Sequence, residues 1–164
     1  MNIAIRAAVD EFAAECVSNN EGSDIDCRVA YNDRGLLSLI LYSYRGGAGP
    51  MAIATASFDC DTGGRIYLSD LMGGAEGDYR FAFADLVTEK LRINGRVLIS
   101  YVPPVDDSRL CYFDERGLVL IYRKYEVCDA EAGEPYVLLG FDEIEGYLLE
   151  NALLRRLPYF DTAE

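Results

Sequence analysis

Asp59, Asp61 and Asp70, within "DCDTGGRIYLSD", come nearest to a chemical site by type and spacing. With Gly64 and Ile66 they fall at positions 1, 3, 6, 8 and 12 of a calcium-binding EF-hand loop. Position 5, however, is Gly63, which offers no side-chain oxygen, and the last ligand is an aspartate, shorter than the usual bidentate glutamate. The preceding "MAIATASF" alternates like a strand where an entering helix is needed. The same stretch contains "DTG", the tripeptide of aspartic proteases, in which two such loops share a proton. One copy per chain requires a homodimer. A glycosidase built on these acids needs two carboxylates roughly 5–10 Å apart across a cleft. The simplest reading is a glycine-rich turn between strands, with a calcium-stabilised domain or a carboxylate-based hydrolase as alternatives.

A second stretch, "LYSYRGGAGP", breaks from strand-like alternation into glycines. A phosphate cradle or dinucleotide fingerprint opens a helix, whereas Pro50 and another strand-like run follow here. Tyr44, Arg45, Gly46 and Gly47 therefore read as a strand-to-strand connection that shapes a binding surface. A third, "YEVCDAEAGEPY", gathers Glu126, Asp129, Glu131 and Glu134 in a loop, either a solvated face or a loop that meets a basic partner.

The residue types also exclude chemistry. The chain has no histidine, which removes Ser-His-Asp, Cys-His and zinc-histidine mechanisms together. Its five cysteines include no Cys-x-x-Cys pair, so a zinc ribbon or redox dithiol is not expected, and no cofactor is implied. A formal charge of -13 repels nucleic acid and anionic membranes and suits a basic partner. No run reaches membrane-spanning length and the N-terminus lacks signal-peptide character, so the chain as given reads as cytoplasmic.

The elements that must position these residues follow from periodicity. Ile5, Val9, Phe12, Ala13 and Cys16 recur at helical spacing, which predicts a helix over 2–17. Period-two alternation begins at Ile25, and "NDRG" predicts a hairpin into "LLSLILYSY". "MAIATASFDC" and "RIYLSDL" complete this strand-forming half. A second helix is expected over 76–94, closed by Asn94-Gly95. Residues 97–102 look like a strand that Pro103-Pro104 interrupts. A hairpin around "DERG", a strand "PYVLLG" and an amphipathic helix from Phe141 to about Leu157 finish the chain. The sum over 1–164 is a single α+β domain, its three helices packed on a largely antiparallel sheet.

Taken in order, "YNDRGLLSLILYSYRGGAGP", "FDCDTGGRIYLSDLM", "CYFDERGLVLIYRKYEVCDAEAG" and the closing "VLLGFDEIEGYL" resemble the RsiV-type extracytoplasmic domain over about residues 2–151. Such domains occur in lysozyme-sensing anti-sigma factors and beside some peptidoglycan deacetylases. The resemblance implies a non-enzymatic binding module, placed outside the membrane where an anchor has been removed. Its implied partner is a basic protein such as lysozyme, or a cell-wall fragment. The binding residues it suggests are Tyr44, Arg45, Gly46 and Gly47 in the glycine loop, with Glu126, Asp129 and Glu131 in the acidic tract. The pattern departs at Gly49, where the family's loop carries histidine.

Overall fold

A computed structural model describes residues 2–21, 24–46, 49–74, 76–129 and 133–160. The chain forms two compact units, Met1–Ile66 and Tyr67–Glu164. The α+β class holds, with helices and antiparallel strands, but the pairing is divided between two sheets rather than gathered in one.

In the first unit, α1 (Asn2–Ser18) precedes a four-stranded antiparallel meander of β1 (Asp24–Asp33), β2 (Leu36–Tyr44), β3 (Ala52–Asp59) and β4 (Arg65–Ile66). The register Leu37 to Phe58, Leu39 to Ala56 and Leu41 to Ala54 brings these side chains onto one face. Against them α1 lays Ala4, Ile5, Ala8, Val9, Phe12 and Cys16, the stripe that its periodicity foretold. Phe58 and Leu41 are fully buried, each contributing about 1.5–3 kcal/mol of transfer free energy. On the other face, the hydroxyls of buried Ser38 and Ser57 meet at 2.9 Å, so neither is stranded. Arg34 and Gly35 join β1 to β2 with positive φ (44° and 90°), as a two-residue I′ hairpin requires. A bulge between Val29 and Tyr31 bends the outer strand β1.

The second unit opens with the short α2 (Leu68–Leu71), which replaces the strand expected from "RIYLSDL" after Ile66. Asp70 Oδ2 accepts the Tyr67 N–H at 2.8 Å, satisfying a helix-start donor that a strand would have used elsewhere. Helix α3 (Tyr79–Ile93) starts at Asp78, whose carboxylate accepts the Arg80 N–H at 3.1 Å. It buries Tyr79, Phe83, Ala84, Val87 and Leu91 along one stripe. Strands β5 (Cys111–Asp114), β6 (Gly117–Ile121) and β7 (Tyr136–Gly140) form an antiparallel sheet with β6 at the centre, buried throughout. The Lys90 ammonium reaches the Glu143 carboxylate at 2.8 Å.

The helix expected over 141–157 is broken. Helix α4 (Phe141–Ile144) passes into a 3-10 turn at Glu145–Tyr147, and a second 3-10 turn follows at Leu153–Arg156. Between them the chain leaves the helix to bond 71–74: Gly73 and Gly74 donate to Tyr147 O, and Leu149 donates to Leu71 O. Gly74 permits this approach, since a Cβ there would stand 2.6 Å from Leu148 O and 2.7 Å from Gly146 O. Arg155 then donates to the carbonyls of Leu148 and Leu149, the latter also accepting the Ala152 N–H at 3.0 Å. Among the described residues no helix is long and apolar enough to cross a membrane.

Candidate functional site

The predicted site residues fall in different units. Tyr44 ends β2 in the first, with its ring 6.3 Å from that of Tyr42. Arg45 follows; its Nη2 donates to the main-chain oxygen of Asn20 at 2.7 Å and also to Asn20 Oδ1. The guanidinium thus ties the loop to the turn that ends α1. The Met51 N–H closes the connection on Ser43 O at 2.9 Å. Gly46 takes a φ of +58°, whereas Gly47 lies outside the described residues. Gly49 has no left-handed φ, and a Cβ added to it meets open space.

The acids of "DCDTGG" serve the turn. Asp59 accepts the N–H groups of Asp61 (2.8 Å) and Thr62 (3.3 Å), and β3 stands where an entering helix would be needed. Asp70 caps α2 in the second unit. Among the described residues no group of three or more acids and cysteines is placed to hold a metal ion, so the calcium-loop alternative lacks its ligand set.

In the second unit Glu126 and Asp129 are turned toward arginines, while Glu131 lies outside the described residues. Glu126 Oε1 accepts from Arg109 Nη1 at 2.7 Å, and its Oε2 accepts the Arg123 N–H at 2.8 Å. The Arg109 guanidinium also lies 4.2 Å from the centre of the Tyr122 ring. Tyr122 is fully buried, and burial pushes its phenol up to about 12. Neither Tyr122 Oη nor Arg109 Nε has a hydrogen-bond partner among the described residues. Asp129 stands 3.8 Å from Arg96. Sequence reasoning missed Arg96, Arg109 and Tyr122, since no local spacing signals a pair closed across 17 or more residues.

A surface that sequence reasoning left unassigned follows α3. Residues 97–99 run antiparallel to 127–129: Ile99 donates to Val127 O, Asp129 donates to Val97 O, both at 3.0 Å, and Leu98 bridges Cys128. Val97, Ile99 and Tyr101 expose 62%, 54% and 76% of their surface, with Ile93 and Tyr125 exposed as well. The strand-like run expected over 97–102 is reduced to the one bridge at Leu98, and alternate side chains face solvent. A groove of about 470 Å³ separates residues 98–102 from Asp85, Thr88 and Arg92 of α3. Polar Asp85, Thr88, Arg92 and Ser100 line the groove beside these apolar residues.

Compared with solved structures, the chain is similar to a member of the DUF3298 family from Bacteroides fragilis. The TM-score is 0.60 at 20% identity, over 89% of this chain and 64% of that one. The fold is shared with a DUF3298 protein. The chain thus spans less than two thirds of that neighbour's length. A DUF3298 family protein from Pseudomonas aeruginosa is also similar, with a TM-score of 0.49 at 17% identity, over 77% of this chain and 62% of that one. No family model matches the chain, and no curated protein does.

Proposed function

We propose that the chain is a non-catalytic, RsiV-like binding domain whose partner is a basic protein of lysozyme type or a cell-wall component. The observation that carries this reading is the exposed apolar segment 97–101 in a unit strongly negative overall. From Tyr67 onward there are nineteen acids against ten basic residues, a net charge of -9. Apolar side chains held in solvent around a backbone bridge are a contact surface, and the surrounding charge selects a cationic partner. Of the acids suited to hydrolysis, Asp59 is engaged in a turn and Asp70 in a cap. Calorimetry against lysozymes and soluble peptidoglycan fragments tests the proposal; micromolar binding is expected, and silence across that panel sinks it.

A further inference from the structure

We infer that the groove between α3 and residues 98–102 accepts an extended segment of a basic partner protein as an added strand, an inference that rests on the binding-module reading. The hydrogen-bonding groups available belong to Leu98. Val97 O and Ile99 N–H are taken by Asp129 and Val127 on either side of the Leu98–Cys128 bridge, which turns the Leu98 N–H and C=O to the opposite side. Ser100 N–H also reaches Val127 O at 3.4 Å, so the pairing ends there. Among the described residues neither group has a hydrogen-bond partner. A segment laid alongside would bond both and place alternate side chains over Val97, Ile99 and Tyr101.

Charge decides what that segment is. On the α3 wall, exposed Asp85 and Arg92 both line the groove without an ion-pair partner among the described residues. The wall thus offers one charge of each sign, with Asp85 placed to take a cation and Arg92 to meet a carbonyl, and the preference for a basic segment comes from the unit as a whole. A second copy of this chain, or any acidic strand, would meet the unit's charge of -9. The contrast with β1 is informative, because that outer strand carries Asp24, Asp26, Arg28 and Asp33 together with a bulge. Those are the devices by which proteins protect sheet edges against pairing. Segment 97–101 has none of them, with Val, Leu, Ile, Ser and Tyr in succession.

The test uses the full chain, nitrogen-15 labelled, with a capped seven-residue peptide of alternating lysine and valine. Expected are shifts centred on the Leu98 amide, deuterium exchange there slowed at least tenfold at saturation, and at least tenfold weaker binding by two controls. One control is the same peptide N-methylated along its backbone; the other carries glutamate in place of lysine. An unprotected Leu98 amide, or equal binding by either control, overturns the strand-addition site. Lysozyme or peptidoglycan binding that persists with Leu98 unprotected removes this site and leaves the binding-module reading standing. Peptide binding at Leu98 beside silent lysozymes and peptidoglycan does the reverse.

Discussion

Replacing Glu126 separates a structural role for the acidic tract from a recognition role. The Glu126 side chain is 29% exposed and that of Arg109 is 15% exposed, so the pair is neither a surface ion pair nor a fully dry one. Breaking a buried pair costs about 3–5 kcal/mol, and an exposed one about 0–1 kcal/mol. Glu126→Gln keeps one acceptor for the Arg123 N–H but turns its amide NH2 toward Arg109, losing both the charge and the hydrogen bond there. An intermediate cost of about 2 kcal/mol is therefore expected, a fall of roughly 4–8 °C in Tm for a chain of this size. Arg109→Met should cost about 1–2 kcal/mol, because methionine retains some apolar cover over Tyr122 and removes a buried Nε that has no partner. Urea unfolding of both single variants and the double variant gives the coupling energy, expected near 1–2 kcal/mol. Partner affinity, measured below the melting transition, should change less than twofold. A coupling energy of zero with Glu126→Gln at full stability would refute the structural assignment. A tenfold loss of binding at unchanged stability would return Glu126 to the contact surface.

Other perturbations probe separate features. Tyr122 is held protonated by burial, with a folded-state value of about 12 above the ordinary 10. Its contribution is therefore complete below pH 10 and is lost as pH rises from 10 toward 12, at most about 3 kcal/mol in chemical denaturation. Tyr122→Phe should remove that loss and, by deleting an unpartnered hydroxyl, raise stability at pH 7 by about 1 kcal/mol. At pH 8 a thiol reagent should modify exposed Cys27 while buried Cys16 and Cys128 stay protected, and half-buried Cys111, its thiol raised by desolvation to about 12, should react far more slowly than Cys27, as peptide mapping would show. Gly117→Ala places a Cβ against Leu139 O across the β6–β7 pair and should cost about 3 kcal/mol in urea unfolding. Gly49→His enters open space, so its Tm at pH 8 should stay within about 2 °C of the parent. For the basic partner, raising salt from 50 to 500 mM should slow association more than it speeds dissociation in stopped-flow mixing.

Where periodicity was long and unopposed, the sequence carried the answer. Helix α1 with Ile5, Val9, Phe12 and Cys16 on its packed face, the apolar central strand β2 and the Asn94-Gly95 ending of α3 stand as read, whereas Ala13 lies off that face and the alternation of β1 is not matched by its burial. "NDRG" and "DERG" each predict a hairpin, and both are two-residue connections. Their glycines nevertheless do different work. Gly35 sits within its turn with φ 90°, whereas Gly117 has already entered β6 and is small because Leu139 O lies against it. Only the third strand reveals that. The helix expected after Phe141 failed for a similar reason: its apolar spacing was suitable, but 147–149 gains bonds to 71–74 that no local pattern records. The site was less legible still. Tyr44, Arg45 and Gly46 were located correctly as a strand-ending loop, yet the hydrogen bonds that tie Arg45 to Asn20 are tertiary. The exposure of Val97, Ile99 and Tyr101 ran against their type, since apolar alternation beside a helix usually signals burial.

That inversion separates charge from contact. The acidic tract drew attention because it concentrates carboxylates, but Glu126 and Asp129 face arginines of their own unit. A charge paired in this way still contributes to the field of the whole molecule, even though it offers little free hydrogen-bonding capacity to a partner. At physiological salt that field fades over about 8 Å, enough to bias encounter and too diffuse to fix a register. Register needs groups at defined spacing, which the Leu98 N–H and C=O and the alternate side chains of 97–101 supply. On the proposed reading, a net charge of -13 steers a basic partner and selection is made at the exposed apolar residues near Leu98. The tract richest in carboxylates is where the second unit is held together.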